Sequence, residues 1–378
     1  MKILHICNDF GYSKVHANLY RELDALGVEQ TVFTFYGGED RTGRNRFEAE
    51  RTSFVYQNVL KPFHRFFFHK KINTVYHSLK QTIHPEEYDL SHAISIFTNG
   101  PLSYRLYKDY DVPYVVAVRN TDINTFLSVA PHTWILGLNV LLNAKRIIFI
   151  SQALMDSFCR HPLIKMVLNR IKDKFILQPN GIDDYWIDHV ERGKKPANHN
   201  LIYVGRFDTN KNVSRLLKAV LSLRQKFPDI QMHLVGGGDT RHEEIMQIVN
   251  SNPGIIHYHG KIREKEHLRS MYQQCSVFAM TSFYETFGLV YLEALSQNLA
   301  LVYTQHQGID GLLDSRVGES VRAFSHISIA NAIERIFNNR NNYLAHEVVD
   351  FEYYRWKRIA KRYYEMYEGI VNCRGEGQ

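Results

Sequence analysis

The chain has 378 residues, 44% hydrophobic and 22% charged, which excludes a disordered or fibrous protein and suits two α/β domains better than one ordinary core. Its 46 basic against 39 acidic residues leave a net charge of +7, an excess that favours anionic ligands or surfaces but is equally common among plain soluble enzymes. Cys7, Cys159, Cys275 and Cys373 are scattered without a C-x-x-C pair, so neither a disulfide framework nor a zinc site is expected, and a reducing, cytoplasmic compartment fits best.

In chain order, KILHIC is a short apolar run closed at once by Asn8 and Asp9, which reads as a buried strand and not as a signal peptide. NLYRELDALG follows with Leu19, Leu23 and Leu26 at helical spacing and Gly27 as its stop. QTVFTFY, YDLSHAIS, YVVAVR and RIIFIS read as further strands. Between the first two of these, NVLKPFHRFFFHKKINTVYHSLK (58–80) mixes Phe63, Phe66, Phe67 and Phe68 with Lys61, Arg65, Lys70 and Lys71. Such a segment lies on an anionic membrane surface, or else it is a core helix that packs its Phe face and exposes its cations; both readings stay open. KFILQPNGIDDYW and the polar run ERGKKPANHN have no periodicity and read as the break between domains. LIYVGRF, IQMHLVGGG, IIHYHG, CSVFAM and NLALVYT then repeat the strand theme, and VSRLLKAVLSL carries Val213, Leu216, Leu217, Val220 and Leu221 on one helical face. No window approaches the roughly 18 apolar residues of a membrane span. Strands alternating with helices predict two Rossmann-like domains with parallel sheets facing one another across a cleft, over 1–180 and 196–354.

The segment CSVFAMTSFYETFGLVYLEALSQN parses as a strand, a polar loop and a helix. Glu285 lies in the loop, and Thr286, Phe287 and Gly288 are expected to form the first helical turn, whose backbone N–H groups lack intrahelical partners and suit phosphate oxygens. Glu293 falls between Leu292 and Ala294 on a helix that is apolar almost all round, where a carboxylate needs a partner. Sugar hydroxyls are suitable partners, so one glutamate can hold a hexose and the other a ribose, with a pyrophosphate between them. Against this stands the plainer reading that both are surface residues of an ordinary α/β unit.

SFYETFGLVYLEAL resembles the donor-site signature of glycosyltransferase family 4, with two glutamates eight residues apart around a phosphate-binding helix start. LIYVGRFDTNKN, ILQPNGID, AKRIIFISQAL and EYYRWKRIAKRYYEMY resemble further segments of that family in the same order, so the likeness spans almost the whole chain. It implies the GT-B arrangement, with a terminal helix (355–378) returning to the first domain, and retaining transfer of a hexosyl group from a UDP- or GDP-sugar to a glycan or lipid-linked hydroxyl. By the same likeness Glu285 binds the transferred sugar and Glu293 the ribose, while Thr286, Phe287, Gly288 and Leu289 present N–H groups to the diphosphate. Arg206 and Lys211 become the cations that neutralise the leaving nucleotide, a role that lowers the barrier to glycosyl–phosphate cleavage; the alternative is a solvated loop paired with Asp208. VGGGDT, with Gly236, lacks the full dinucleotide fingerprint and resembles the family's loop beside the base, with Lys261 and Ile262 as neighbours.

Two departures concern the acceptor half. The family's glycine pair after the first strand is reduced to Gly11, with Tyr12 or Ser13 in the second position. Where many members carry a histidine after the fourth strand, VVAVRNTDINTF has Arg119 and keeps Asp122. Arginine is no general base, so Arg119 either binds an anion or the sugar, or forms a salt bridge with Asp122. No D-x-D run stands at a strand end, and His257 and His259 on one strand face are too few for a zinc site, so no metal, no cofactor and no nucleic-acid partner are expected. Rival readings are a non-catalytic GT-B subunit or chaperone, and an epimerase or phosphorylase of related fold.

Overall fold

A computed structural model describes residues 1–193 and 196–375. Lys194 and Lys195 of the polar run, and 376–378 of the expected terminal helix, lie outside the described residues. The chain divides into two compact units, one from 1–150, 154–181 and Trp356 onward, the other from 151–153 and 182–355.

The first unit holds seven parallel strands: β1 (Lys2–Ile6), β2 (Glu29–Gly37), β3 (Thr52–Leu60), β4 (Leu90–Ala93), β5 (Tyr114–Ala117), β6 (Arg146–Phe149) and β7 (Phe175–Leu177). Their order is β3-β2-β1-β4-β5-β6-β7. The second unit has six: β8 (Asn200–Gly205), β9 (Gln231–Gly236), β10 (Ile256–Tyr258), β11 (Val277–Met280), β12 (Ala300–Thr304) and β13 (Gly318–Val321), ordered β10-β9-β8-β11-β12-β13. Central strands are buried along nearly their whole length because both sheet faces are covered. In each sheet the chain winds outward and then returns to the other side of its first strand, between β1 and β4 and between β8 and β11. Ligands of open parallel sheets sit at the strand carboxyl ends beside such reversals.

The terminal helix Trp356–Gly375 belongs to the first unit. Trp356, Ile359, Ala360, Tyr363, Tyr367 and Ile370 recur at helical spacing and enter one core cluster with Leu19, Tyr20 and Leu23 of the Lys14–Ala25 helix. Gly181 makes room for it, since a Cβ there would lie 2.6 Å from the Trp356 indole.

β3, β7 and β13 were not foreseen. β3 is a half-exposed edge strand, and β7 and β13 are three and four residues long, too short to show a period. β7 also places the first residues of the expected break inside the first sheet. The 58–80 segment is the end of β3, a 3₁₀ turn at Pro62–Arg65 and a helix at Phe68–Thr82. That helix buries Ile72, Val75 and Leu79, whereas Phe66 and Phe67, just before its start, are exposed. The alternative of a core helix therefore holds for the helix and for the partly buried Phe68, but Phe63, Phe66 and Phe67 precede it and are exposed, so there is no packed Phe face.

Candidate functional site

Loops following β8 and β11 flank the reversal of the second sheet. Asp208 opens the turn Thr209–Lys211 by accepting the Lys211 N–H at 2.9 Å. Asn210 joins the two loops: its Nδ2 donates to the Tyr284 carbonyl at 2.8 Å and its Oδ1 accepts the Tyr284 N–H at 2.9 Å. Asn212, at φ 58°, donates to the carbonyls of Thr281 at 3.0 Å and Ala323 at 2.8 Å. With its loop held this way, Lys211 Nζ meets Glu285 Oε2 at 2.7 Å, the side chains being 18% and 14% exposed. Glu285 is fixed from its backbone as well, donating N–H to Gln307 Oε1 at 3.0 Å and accepting the Gly308 N–H at 2.8 Å. Gly308, at φ 56°, is required there because a Cβ would come within 3.1 Å of Glu285 Cγ.

Arg206 is 69% exposed and bridges Asp208 at 2.8 Å and Asp239 at 3.1 Å. The solvated pairing with Asp208 thus exists for Arg206, while Lys211 pairs with Glu285 instead. Exposed ion pairs contribute about 0–1 kcal/mol, so the guanidinium is readily released to an incoming anion.

The helix begins at Leu289, with Gly288 as N-cap at φ 78°, so Thr286 and Phe287 precede it and do not form its first turn. Leu289 and Val290 therefore carry the unpartnered helical N–H groups, while Tyr291 N–H returns to the Gly288 carbonyl at 2.9 Å. No acidic residue stands in the first turn to compete with an anion. Glu293 is half-buried on this helix, and its carboxylate makes no hydrogen bond or ion pair to any described residue. Burial pushes it up to about 7, with Asp183 adding to the shift and Lys265 opposing it. Lys265 Nζ is itself held by Asp183 at 2.5 Å.

Gly236 closes β8 against β9, for a Cβ there would lie 1.9 Å from the Gly205 carbonyl oxygen. Lys261 Nζ would lie 3.4 Å from a Cβ on Gly238, which places it beside the glycine loop, with half-buried Ile262 next in the chain. His233 joins the two expected histidines: it lies opposite His257 in the β9–β10 register, and its Nδ1 is 3.0 Å from His259 Nε2.

In the first unit, Asn8 and Asn99 hydrogen-bond across the reversal at 2.7 Å and 3.3 Å. Asp122 is fully buried and accepts the N–H groups of Arg119 at 2.9 Å and of Ile96 and Phe97 at 3.2 Å. Burial pushes its carboxyl up to about 6, with those donors and the Arg119 charge opposing. Both oxygens are committed to backbone, so Asp122 positions the turn after β4 and does not face substrate; the expected catalytic role is corrected. The expected salt bridge is replaced by the Arg119 main-chain N–H, while Arg119 Nε donates to the Ile94 carbonyl at 2.9 Å. After Gly11, Tyr12 is 64% exposed with the Arg41 guanidinium carbon 3.5 Å from its ring centre, and Ser13 caps the Lys14–Ala25 helix.

Sequence reading gave no role to Asn210, Asp239, Gln307 or Arg41. All but Arg41 stand in short loops directly after β8, β9 and β12, and position after a strand of a parallel sheet is the signal that would have found them.

A family model described as Glycosyltransferase Family 4 matches residues 11–184, and one described as Glycosyl transferases group 1 matches 184–349. YqgM, a glycosyltransferase of Bacillus subtilis, is 23% identical over 76% of this chain and 80% of its own. A phosphatidyl-myo-inositol mannosyltransferase of Mycobacterium leprae is 24% identical over 51% of this chain and 53% of its own, so the chain spans about half of that relative. Among solved structures, sucrose-phosphate synthase of Thermosynechococcus elongatus superposes with a TM-score of 0.72 at 18% identity, covering 99% of this chain and 100% of that one. HepE of Anabaena, in complex with UDP-glucose, gives 0.69 at 17% identity over 98% and 100%. The fold is the two-domain GT-B class of glycosyltransferases. Within that class, the chain belongs to glycosyltransferase family 4, which favours an enzyme over a non-catalytic subunit.

Proposed function

We propose that the chain transfers a hexosyl group from a UDP- or GDP-sugar to a hydroxyl, with retention and without a metal ion. The observation that carries this reading is the half-buried, unpartnered Glu293 carboxylate on a helix whose start adjoins the Lys211–Glu285 pair. Glu293 accepts the two ribose hydroxyls, the N–H groups from Phe287 to Val290 meet the diphosphate, and Glu285, whose Oε1 accepts the Thr286 N–H at 3.2 Å, orients the sugar. Lys211 and Arg206 supply the positive charge that the departing diphosphate requires, the part a metal plays elsewhere. The glycosyl–phosphate C–O bond breaks while the acceptor oxygen bonds to the same carbon from the same face. The acceptor proton passes to the departing phosphate oxygen, so no basic side chain is needed where Arg119 stands. The HepE complex with UDP-glucose supports such a donor.

A relative named for phosphatidyl-myo-inositol supports a lipid-linked acceptor. No helix among the described residues is long and apolar enough to cross a membrane. We place the enzyme in the cytoplasm, at the inner membrane face, touching anionic lipid through Phe66, Phe67 and the cations of 58–80.

A thermal-shift screen of UDP-, GDP- and ADP-sugars tests the donor reading, since a preferred donor stabilises by mass action. Glu285→Ala is expected to impair transfer more than nucleoside diphosphate binding, and Glu293→Ala to weaken both. If no nucleotide sugar stabilised the protein the donor assignment would fail, and loss of turnover in EDTA with recovery on adding a divalent cation would refute the metal-free mechanism.

A further inference from the structure

A cavity of about 870 Å³ opens in the first unit beyond the carboxyl ends of β1, β2 and β3. Asn8, Tyr12, Lys61, Arg65, Phe66 and Lys71 are among its lining residues, and none of the lining residues is acidic. The chain itself has no Asp or Glu between Glu50 and Glu86.

The cations here differ from those of the second unit. Arg206 and Lys211 each hold a carboxylate. Among the described residues, no carboxylate lies within ion-pair distance of Lys61, Arg65 or Lys71, while Lys70 is turned over the Phe63 ring at 4.9 Å. Lys71 is half-buried, and burial holds its ammonium below the ordinary range, with the Asp9 carboxylate opposing from a distance. The turn that carries Lys61 and Arg65 is built rather than loose. Buried His64 accepts the Lys61 N–H on Nδ1 at 3.0 Å, and its Nε2 is 3.3 Å from Thr74 Oγ1 on the following helix. Burial, and then the charges of Lys70, Lys71 and Lys61, hold this imidazole below its usual range.

Cations without an ion-pair partner, Lys61 and Arg65 on the fixed turn and Lys71 on the helix after it, cost free energy through mutual repulsion and desolvation, and a phosphate removes that cost. A soluble phosphate would account for the charges but not for Phe66, 79% exposed on the lining, nor for Phe67 beside it at 59%. Exposed phenylalanines next to a basic cavity match a molecule with an anionic head and an apolar chain. Resting on the acceptor reading above, we infer that this cavity holds the phosphate of a lipid-linked acceptor, with Lys61, Arg65 and Lys71 on the phosphate and Phe66 against its chain.

The test is calorimetric titration of the full chain with short-chain phosphatidic acid, glycerol 3-phosphate and short-chain phosphatidylcholine. Phosphatidic acid is expected to bind most tightly, and the double variant Arg65→Gln/Lys71→Gln to bind it at least about tenfold more weakly. Phe66→Ala should weaken phosphatidic acid and leave glycerol 3-phosphate unchanged. Stabilisation of each variant by the preferred nucleotide sugar reports that it is folded. Equal binding of phosphatidic acid by the wild type and the double variant overturns the inference, as does phosphatidylcholine or glycerol 3-phosphate binding as tightly. Donor stabilisation with no phosphatidic acid binding removes this acceptor and leaves the transferase reading standing, whereas failure of every nucleotide sugar removes the transferase reading itself.

Discussion

Glu293→Gln separates the role of this carboxylate from its cost. In the folded chain the carboxyl is pushed up to about 7 from an ordinary 4.5, first by burial. A raised acid pKa means that, between those values, the folded protein keeps a proton which the unfolded chain has lost. Stability therefore falls as pH rises from about 4.5 to about 7, and above that the whole penalty applies. At about 1.4 kcal/mol per tenfold, the interval amounts to about 3 kcal/mol; residual solvent contact reduces this to about 2–3 kcal/mol. Glutamine has nothing to ionise, so the variant should match the wild type near pH 4.5 and exceed it by about 2–3 kcal/mol at pH 8. For a unit of this size that raises the midpoint of its thermal transition by about 4–10 °C. The same variant should bind nucleoside diphosphate more weakly at pH 8, because an amide replaces the carboxylate that accepts two hydroxyls. Scanning calorimetry from pH 5 to pH 8, with and without nucleotide, reads both effects. A stability difference that did not change with pH would refute the buried-acid reasoning, and unchanged nucleotide affinity would refute the ribose assignment.

Lys211→Met should lower kcat by about 10²–10³-fold in a transfer assay, since it removes a fixed cation from the leaving group, and wild-type turnover would sink that role. It should also cost about 1–3 kcal/mol in urea denaturation, because Glu285 keeps its buried charge without a partner. Gly288→Ala places a Cβ 2.5 Å from the Tyr291 ring at φ 78°, and is expected to cost about 1–3 kcal/mol and to weaken nucleoside diphosphate binding by calorimetry. Gly181→Ala drives a Cβ to 2.6 Å from Trp356, and should lower the urea midpoint of the first unit by a comparable free energy while leaving nucleotide affinity unchanged.

Much of the donor side was legible in the amino-acid order because its information is local. Glu285, Gly288 and Glu293 lie within nine residues on one loop and one helix, and the 3.6-residue period alone relates them. β3 and β13 escaped notice for the converse reason: a half-exposed edge strand and a four-residue strand bury too little apolar surface to leave a pattern. Asp122 was misassigned because a carboxylate near a strand end looks the same in sequence whether it faces a substrate or three main-chain N–H groups.

Residue order alone specifies two parallel-sheet units, a terminal helix with a continuous apolar face, and a helix start preceded by glycine and flanked by glutamates. Which side chains meet is a property of the folded chain. Lys211 pairs with Glu285 across 74 residues, Gln307 receives the Glu285 N–H, and Tyr12 lies beneath Arg41. These contacts depend on which strand ends become neighbours, and that follows from strand order and register. Parallel strands are joined through crossover segments, so loops distant in sequence gather at one edge of the sheet, and local patterning carries no record of it. The reversal of strand order in the second sheet sets Lys211 beside Glu285, whereas Lys61 and Arg65 follow β3, the outermost strand of the first sheet, in a cavity whose lining has no acidic residue.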